Sequence, residues 1–260
     1  MTAVSTTIED HVATVVLDRP PVNAVTPATL GEIHDAFRAL DEDKDVRVAI
    51  FTGAGRRAFM GGVDLRSMDE APDPDAWAAS RLLDRGRVAR DAMQAIAECA
   101  VPVIGAINGP AIGAGLAFAA VCDVLIASDT ATFGTTEINV GLLGASAHLS
   151  LLVGRHKARE LFFSGELIGA AELERYGSVR AVVPPEELLP AARQFASTLA
   201  SKSPIALRLA KESMNRVDSL PLWEAYRTEQ DYTARLLAFD DSLEARRAFF
   251  EKRDPHWRWR

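Results

Sequence analysis

Three short segments carry residue types suited to chemistry. In Phe133-Gly-Thr-Thr-Glu-Ile-Asn-Val-Gly141, Glu137 is a lone carboxylate between apolar flanks, and a carboxylate so placed can move a proton to or from carbon or water. In Ala58-Phe-Met-Gly-Gly-Val-Asp-Leu65, Gly61 and Gly62 interrupt an apolar stretch, and small residues let a ligand approach the backbone closely. In Asn108-Gly-Pro-Ala-Ile-Gly-Ala-Gly115 the glycines open into the helical-looking Leu116–Ala120. Free backbone N–H groups at such a helix start suit an anion or a developing oxyanion. Each segment also has a plainer account: a partly solvated loop carboxylate for Glu137, tight-turn packing for the glycines, a helix cap for Asp64.

The elements that must position these segments alternate between strand and helix. His11–Asp18 is a strand by its β-branched content and is stopped by Arg19-Pro20-Pro21, because proline cannot donate to a sheet ladder. Leu30, Ile33, Phe37 and Leu40 then recur at helical spacing, with Thr26 as N-cap, Pro27 at the first helical position and an end near Asp43. Val46–Thr52, Val101–Ile107 and Val124–Ala127 have the character of short buried strands, with a long helix around Trp77–Cys99 between the first two. The α/β pattern continues to a strand at Val179–Val183. Beyond Pro184-Pro185 the spacing predicts helices only, over 186–200, 204–217 and 222–251. The expected division is therefore an α/β core over 1–195 and a helical region over 196–260.

Composition narrows the function. A chain of 260 residues with 48% hydrophobic content can bury a sizeable core. A formal net charge of −7 repels nucleic acid and anionic membranes. No apolar run approaches the roughly 20 residues that a membrane span needs, and Met1–Asp10 lacks both a basic region and an apolar one; the expectation is a cytoplasmic protein without a membrane partner. Cys99 and Cys122 stand in apolar surroundings without metal-ligand spacing, so each is expected to be a small buried hydrophobe, with no disulfide framework and no metal site.

Taken in order, Arg19-Pro-Pro-Val-Asn-Ala24, Thr52-Gly-Ala-Gly55, Phe59–Leu65, Asn108–Gly115, Cys122-Asp123, Phe133-Gly134 and Glu137-Ile-Asn139 resemble the crotonase (enoyl-CoA hydratase/isomerase) superfamily. Leu161-Phe-Phe-Ser-Gly165, Ser203-Pro204, Leu209-Ala-Lys-Glu212 and Glu251-Lys-Arg253 extend the resemblance along nearly the whole chain. It implies a spiral of ββα turns with a helical C-terminal region used in trimer formation, and a homotrimer or hexamer. It also implies an acyl-CoA or enoyl-CoA substrate with no cofactor, coenzyme A being part of the substrate. By motif, the backbone N–H groups of Val63 and Ala114 form an oxyanion hole around the thioester carbonyl. Glu137 is the acid/base, and Arg19, Val22, Met60, Gly61, Val63, Asp64, Leu65 and Lys252 contact coenzyme A.

The match is incomplete at one informative place. Hydratases of the family use two glutamates, and the position of the first, two residues after Gly115, is Ala117. Shifting a double bond needs one base, whereas hydration usually shares its tasks between two carboxylates; isomerisation with Glu137 alone is the expected reaction, with hydration through a non-standard second group as the alternative. Gly144-Ala-Ser-Ala-His148 replaces the family's proline- and glycine-rich run. His148 is thus a second acid/base candidate, its plainer account being a packed or solvated histidine. Pocket walls are expected from 68–83 together with Leu142, Leu143 and His148.

Rival readings are weaker. Gly53-Ala-Gly55-Arg-Arg-Ala58 fits a loose dinucleotide fingerprint, but Phe59-Met-Gly-Gly62 follows where a sustained helix should be. Ser146 is no nucleophile elbow, because His148 takes the place of the last glycine. Some relatives bind RNA through a lysine-rich first helix; here Leu30–Asp43 is acidic and would repel phosphates.

Overall fold

The structure is a computed structural model that describes residues 2–66 and 86–260. In chain order its main elements are β1 (Val4–Glu9), β2 (Val12–Leu17), α1 (Pro27–Glu42), β3 (Val48–Gly53), α2 (Arg87–Ala97), β4 (Val103–Ile107), β5 (Ala111–Ile112), α3 (Ala114–Ala120), β6 (Val124–Ser128) and β7 (Thr132–Gly134). There follow α4 (Ser146–Val153), α5 (Arg155–Ser164), β8 (Ile168–Gly169), α6 (Ala170–Tyr176), β9 (Ala181–Val183), α7 (Leu188–Ala200), α8 (Pro204–Val217), α9 (Leu222–Leu237) and α10 (Asp240–Glu251).

The strands form a six-stranded sheet ordered β1-β2-β3-β4-β6-β9 and a small second sheet ordered β5-β7-β8. After the antiparallel β1–β2 hairpin, every pairing in the large sheet is parallel. Helices cover both faces, so the strands are apolar on both sides. In β3, Ala49 and Phe51 face one core with Phe37 and Phe59, while Val48 and Ile50 face the other. That second core is closed by Leu188, Ala192, Ala196 and Ala200 of α7, whose alanines let the helix lie close to the sheet. Residue 195 falls inside this helix. Further on, Ile205, Leu209 and Tyr232 form a separate cluster with Leu236, Phe239 and Trp259.

Thr26 and Pro27 begin α1 as expected, the Thr26 hydroxyl accepting the Thr29 N–H. Several features depart from the sequence expectation, and one expected helix falls partly outside the described residues. Strand β1 was not anticipated, because its side chains are largely solvent-facing and show no apolar alternation. The helix expected around Trp77–Cys99 is described from Arg87 to Ala97; residues 67–85 lie outside the described residues. The helix expected over 222–251 is two helices, broken where Phe239 is extended. Its break is fixed by Asp241, a buried carboxylate that accepts the N–H groups of Arg258 and Trp259 and so folds the chain end back over the new helix start. The second sheet was also missed, its strands being two or three residues long.

Cys99 and Cys122 are free thiols, and burial pushes the Cys99 thiol up to about 11. Beside them the Cys122-Asp123 and Leu209–Glu212 motifs meet. Lys211 is buried, and its Nζ donates to the carbonyls of Ile96 and Val101 and to Asp123 Oδ2 at 2.7 Å. Asp123 Oδ2 also accepts the Val103 N–H at 2.7 Å, so this pair fastens α8 to the start of β4. Removing the cation strands a carboxylate and two carbonyls. Lys211→Met is expected to destabilise the fold by about 3 kcal/mol in urea denaturation; a change within about 0.5 kcal/mol, the usual range for surface substitutions, would show that the pair holds nothing together.

Candidate active site

The two glycine-rich loops are zipped together through their backbones. Phe59 and Met60 donate to Pro110 O, Ile112 donates to Met60 O at 3.0 Å, and Met60 pairs with Ala111 as a parallel β-bridge. Gly115 packs directly beneath the Met60 carbonyl, where a Cβ would clash with it. A second bridge joins Val63 to Val25: Val25 donates to Gly62 O at 2.8 Å and Asp64 donates to Val25 O at 2.9 Å. Because N–H and C=O groups alternate sides along an extended chain, these bonds turn the Val63 N–H away from Val25. Ala114 is the first residue of α3, and N–H groups in a first helical turn have no partner within their helix. Among the described residues neither N–H donates to a protein acceptor.

Both residues line one cavity of about 390 Å³. Glu137 enters it from the first position of a 3-10 turn, Glu137–Val140, that ends with Gly141 in the left-handed conformation. Its Oε2 is buried without a hydrogen-bond partner among the described residues. Glycines make room for the other oxygen: a Cβ on Gly113 would lie 2.5 Å from Oε1, and one on Gly144 would lie 2.8 Å from it. Gly113 also has φ +55, so a side chain there would meet both strain and the carboxylate. Its N–H donates to Gly134 O at 2.8 Å, which ties the Ala114 turn to the strand leading to Glu137.

Of the residues named from the sequence, the structure brings Gly61, Val63, Leu65, Ala114 and Glu137 into this cavity, with Ala117, Leu142, Leu143 and His148. Met60 lies fully buried behind it, contributing backbone. Val22 is exposed and packs on Gly61. Arg19 is occupied at the loop base, donating to Ala24 O at 2.7 Å and to Asp64 Oδ2 at 2.8 Å. The guanidinium holds the Asp64 carboxyl below its ordinary range. Lys252 is exposed at the end of α10 and is not part of the cavity wall. The wall expected from 68–83 lies outside the described residues. Sequence reasoning missed Met93, Val140 and Thr136 in the wall; Met93 carries only the signal of an apolar helix face.

Motif asparagines prove to be braces. Buried Asn23 donates to the carbonyls of Ala54 and Ala58 and accepts the Arg19 N–H. Asn108 accepts the Gly53 N–H and donates to Gly55 O. The Gly53–Ala58 stretch is therefore a tied loop, with no dinucleotide helix after it.

The family model described as enoyl-CoA hydratase/isomerase matches residues 7–260, and the chain belongs to that family. It is 38% identical over 251 residues, 96% of this chain and 95% of the relative, to (7aS)-7a-methyl-1,5-dioxo-2,3,5,6,7,7a-hexahydro-1H-indene-carboxyl-CoA hydrolase of Rhodococcus jostii. A probable enoyl-CoA hydratase of Mycobacterium bovis is 36% identical over 253 residues, 96% of this chain and 95% of that one. The crystal structure of an enoyl-CoA hydratase from Bacillus anthracis superposes with a TM-score of 0.90 at 32% identity, covering 98% of both chains. The fold is thus the crotonase α/β fold, and the protein is an acyl-CoA thioester enzyme.

His148, half-buried in the cavity wall, has its pKa lowered from 6.5 by desolvation alone. Between that lowered value and 6.5 the unfolded chain binds a proton that the folded chain does not, so this residue's share of stability declines as pH falls through that window and then levels off. An NMR titration of the imidazole, assigned with His148→Asn, is expected to show a midpoint below 6.5; a midpoint at or above it would contradict the burial.

Proposed function

We propose that Glu137 is the sole carboxylate moving protons at the acyl chain of a coenzyme A thioester, and that the reaction is a double-bond shift through an enolate. The observation that carries this reading is the buried, unpartnered Glu137 Oε2, in the same cavity as the undonated Val63 and Ala114 N–H groups. Abstraction of an α-proton sends an electron pair to the thioester oxygen. Two fixed N–H donors in a site lined by Gly, Ala, Val, Ile, Leu and Met stabilise that charge, each by about 2.7–4 kcal/mol. Protonated Glu137 then returns the proton at the γ-carbon. Ala117 places a methyl where the family's hydratases have their other carboxylate, so one base does the proton transfers. Coenzyme A is bound in this reading along Val22 and Met60–Leu65, with Arg19 and Lys252 as phosphate contacts; neither metal nor nucleotide cofactor, nucleic acid nor membrane takes part. No helix among the described residues is long and apolar enough to cross a membrane.

Glu137→Gln preserves shape but cannot accept the proton. Turnover of a short 3-enoyl-CoA is expected to fall about 10²-fold or more, with coenzyme A binding by calorimetry retained; turnover within threefold of wild type would remove Glu137 from the chemistry.

The assembly belongs to the same reading. Trp223, Phe249 and Phe250 are 78%, 78% and 79% exposed on α9 and α10, and the two Phe rings lie 5.7 Å apart. Exposed apolar surface marks interaction sites, and we assign these side chains to contacts between copies in a trimer or hexamer. Sedimentation is expected at three or six times the 28.1-kDa chain; a monomer at micromolar concentration would contradict it.

A further inference from the structure

The double-bond shift leaves one cavity group without a task. Among the described lining residues only Glu137 and His148 are titratable. His148 is carried there by a specific path: the Gly144 backbone abuts the Glu137 carboxylate, Ala145 turns the chain at φ 56, and α4 begins at once with His148 as its third residue. Among the described residues the imidazole has no hydrogen-bond or ion-pair partner. Desolvation favours the neutral ring, in which one nitrogen is a donor and the other an acceptor. The methyl of Ala117 lines the same space, leaving room that a longer side chain would fill.

We infer that His148 anchors a water molecule across the cavity from Glu137, so that the site also adds water to α,β-unsaturated acyl-CoA thioesters, an imidazole taking the task of the carboxylate absent at 117. The inference rests on the proton transfer assigned to Glu137. The water donates one hydrogen bond to the acceptor nitrogen of His148 and gives its other proton to Glu137, whose carboxylate takes it as that O–H bond breaks. The water oxygen forms a bond to the β-carbon. The π pair of the Cα–Cβ double bond moves to the thioester oxygen, held by the Val63 and Ala114 N–H groups. Glu137 then returns its proton to the α-carbon and the carbonyl re-forms. Water is the only co-reactant, and both side chains finish as they began.

A carboxylate alone fixes one of the water's hydrogens and leaves its oxygen free to swing; a second partner aims the lone pair at carbon. Oriented reactants of this kind lose about 10²-fold in rate when displaced by roughly 1 Å. The test is a ratio measured on the whole enzyme: hydration of a short trans-2-enoyl-CoA, followed by loss of the conjugated thioester absorbance, divided by isomerisation of the matching 3-enoyl-CoA. His148→Ala is expected to lower this ratio at least tenfold, and His148→Gln, whose amide oxygen can still accept a hydrogen bond, to recover part of it. An unchanged ratio in His148→Ala overturns the inference, whether both rates persist or both collapse through a merely structural role, and so does a wild type that isomerises without hydrating. Glu137→Gln separates the two ideas: if it still isomerises, the proton-transfer reading fails and takes this inference with it, an outcome that His148 variants cannot produce.

Discussion

The close approach of two backbones governs everything else in this molecule. Met60 can pair with Ala111 only because Gly115 offers no Cβ to the Met60 carbonyl. Through that contact the loop after β3 and the loop after β4 become one rigid body, braced from below by Asn23 and Asn108. An oxyanion site needs donors whose separation does not relax when charge develops, since reorganisation at that moment forfeits the stabilisation. Here both proposed donors, the N–H groups of Val63 and Ala114, belong to backbones locked by neighbouring hydrogen bonds, so neither N–H can follow a side chain out of place.

The carboxylate is positioned by exclusion rather than by attraction. No ion pair holds Glu137 among the described residues. Its Oε1 is confined between Gly113 and Gly144, and its Oε2 faces the cavity unsatisfied. An unsatisfied buried acceptor costs about 1–3 kcal/mol. Arg19, far earlier in the chain, shows the opposite solution. Its guanidinium donates to Asp64 and Ala24 and braces the loop, with part of the side chain still exposed.

Much of this was legible in the sequence, and the rest was not, for physical reasons. Buried strands such as β3 and β4 are apolar on both faces and announce themselves; α1 carries its cap, its proline and its apolar stripe together. The glycine loops stand out because close backbone approach permits few residue types, and Glu137 is singled out only by the ordered resemblance of its motif to the family. Strand β1 has no apolar face to show, and strands as short as β5 have no period. The break at Phe239 depends on Asp241 meeting N–H groups from 258 and 259, a contact no local pattern encodes. Likewise the pairing of Lys211 with Asp123 spans 88 positions, so the sequence showed both motifs but not that one completes the other. Met93 joins the cavity only through the packing of α2.

An imidazole at 148 in the proposed place of a carboxylate at 117 would change the electrostatics of the cavity as well as its shape. Two carboxylates sharing a small apolar site repel, and one of them is held protonated at the other's cost. A neutral imidazole imposes no such coupling, because desolvation alone already keeps it uncharged. Glu137 is then the cavity's one carboxylate among the described residues. The small residues Gly113, Ala114, Ala117 and Gly144 around it follow from the same arrangement. With no second carboxylate to seat, the cavity wall there is built of methyls and backbone.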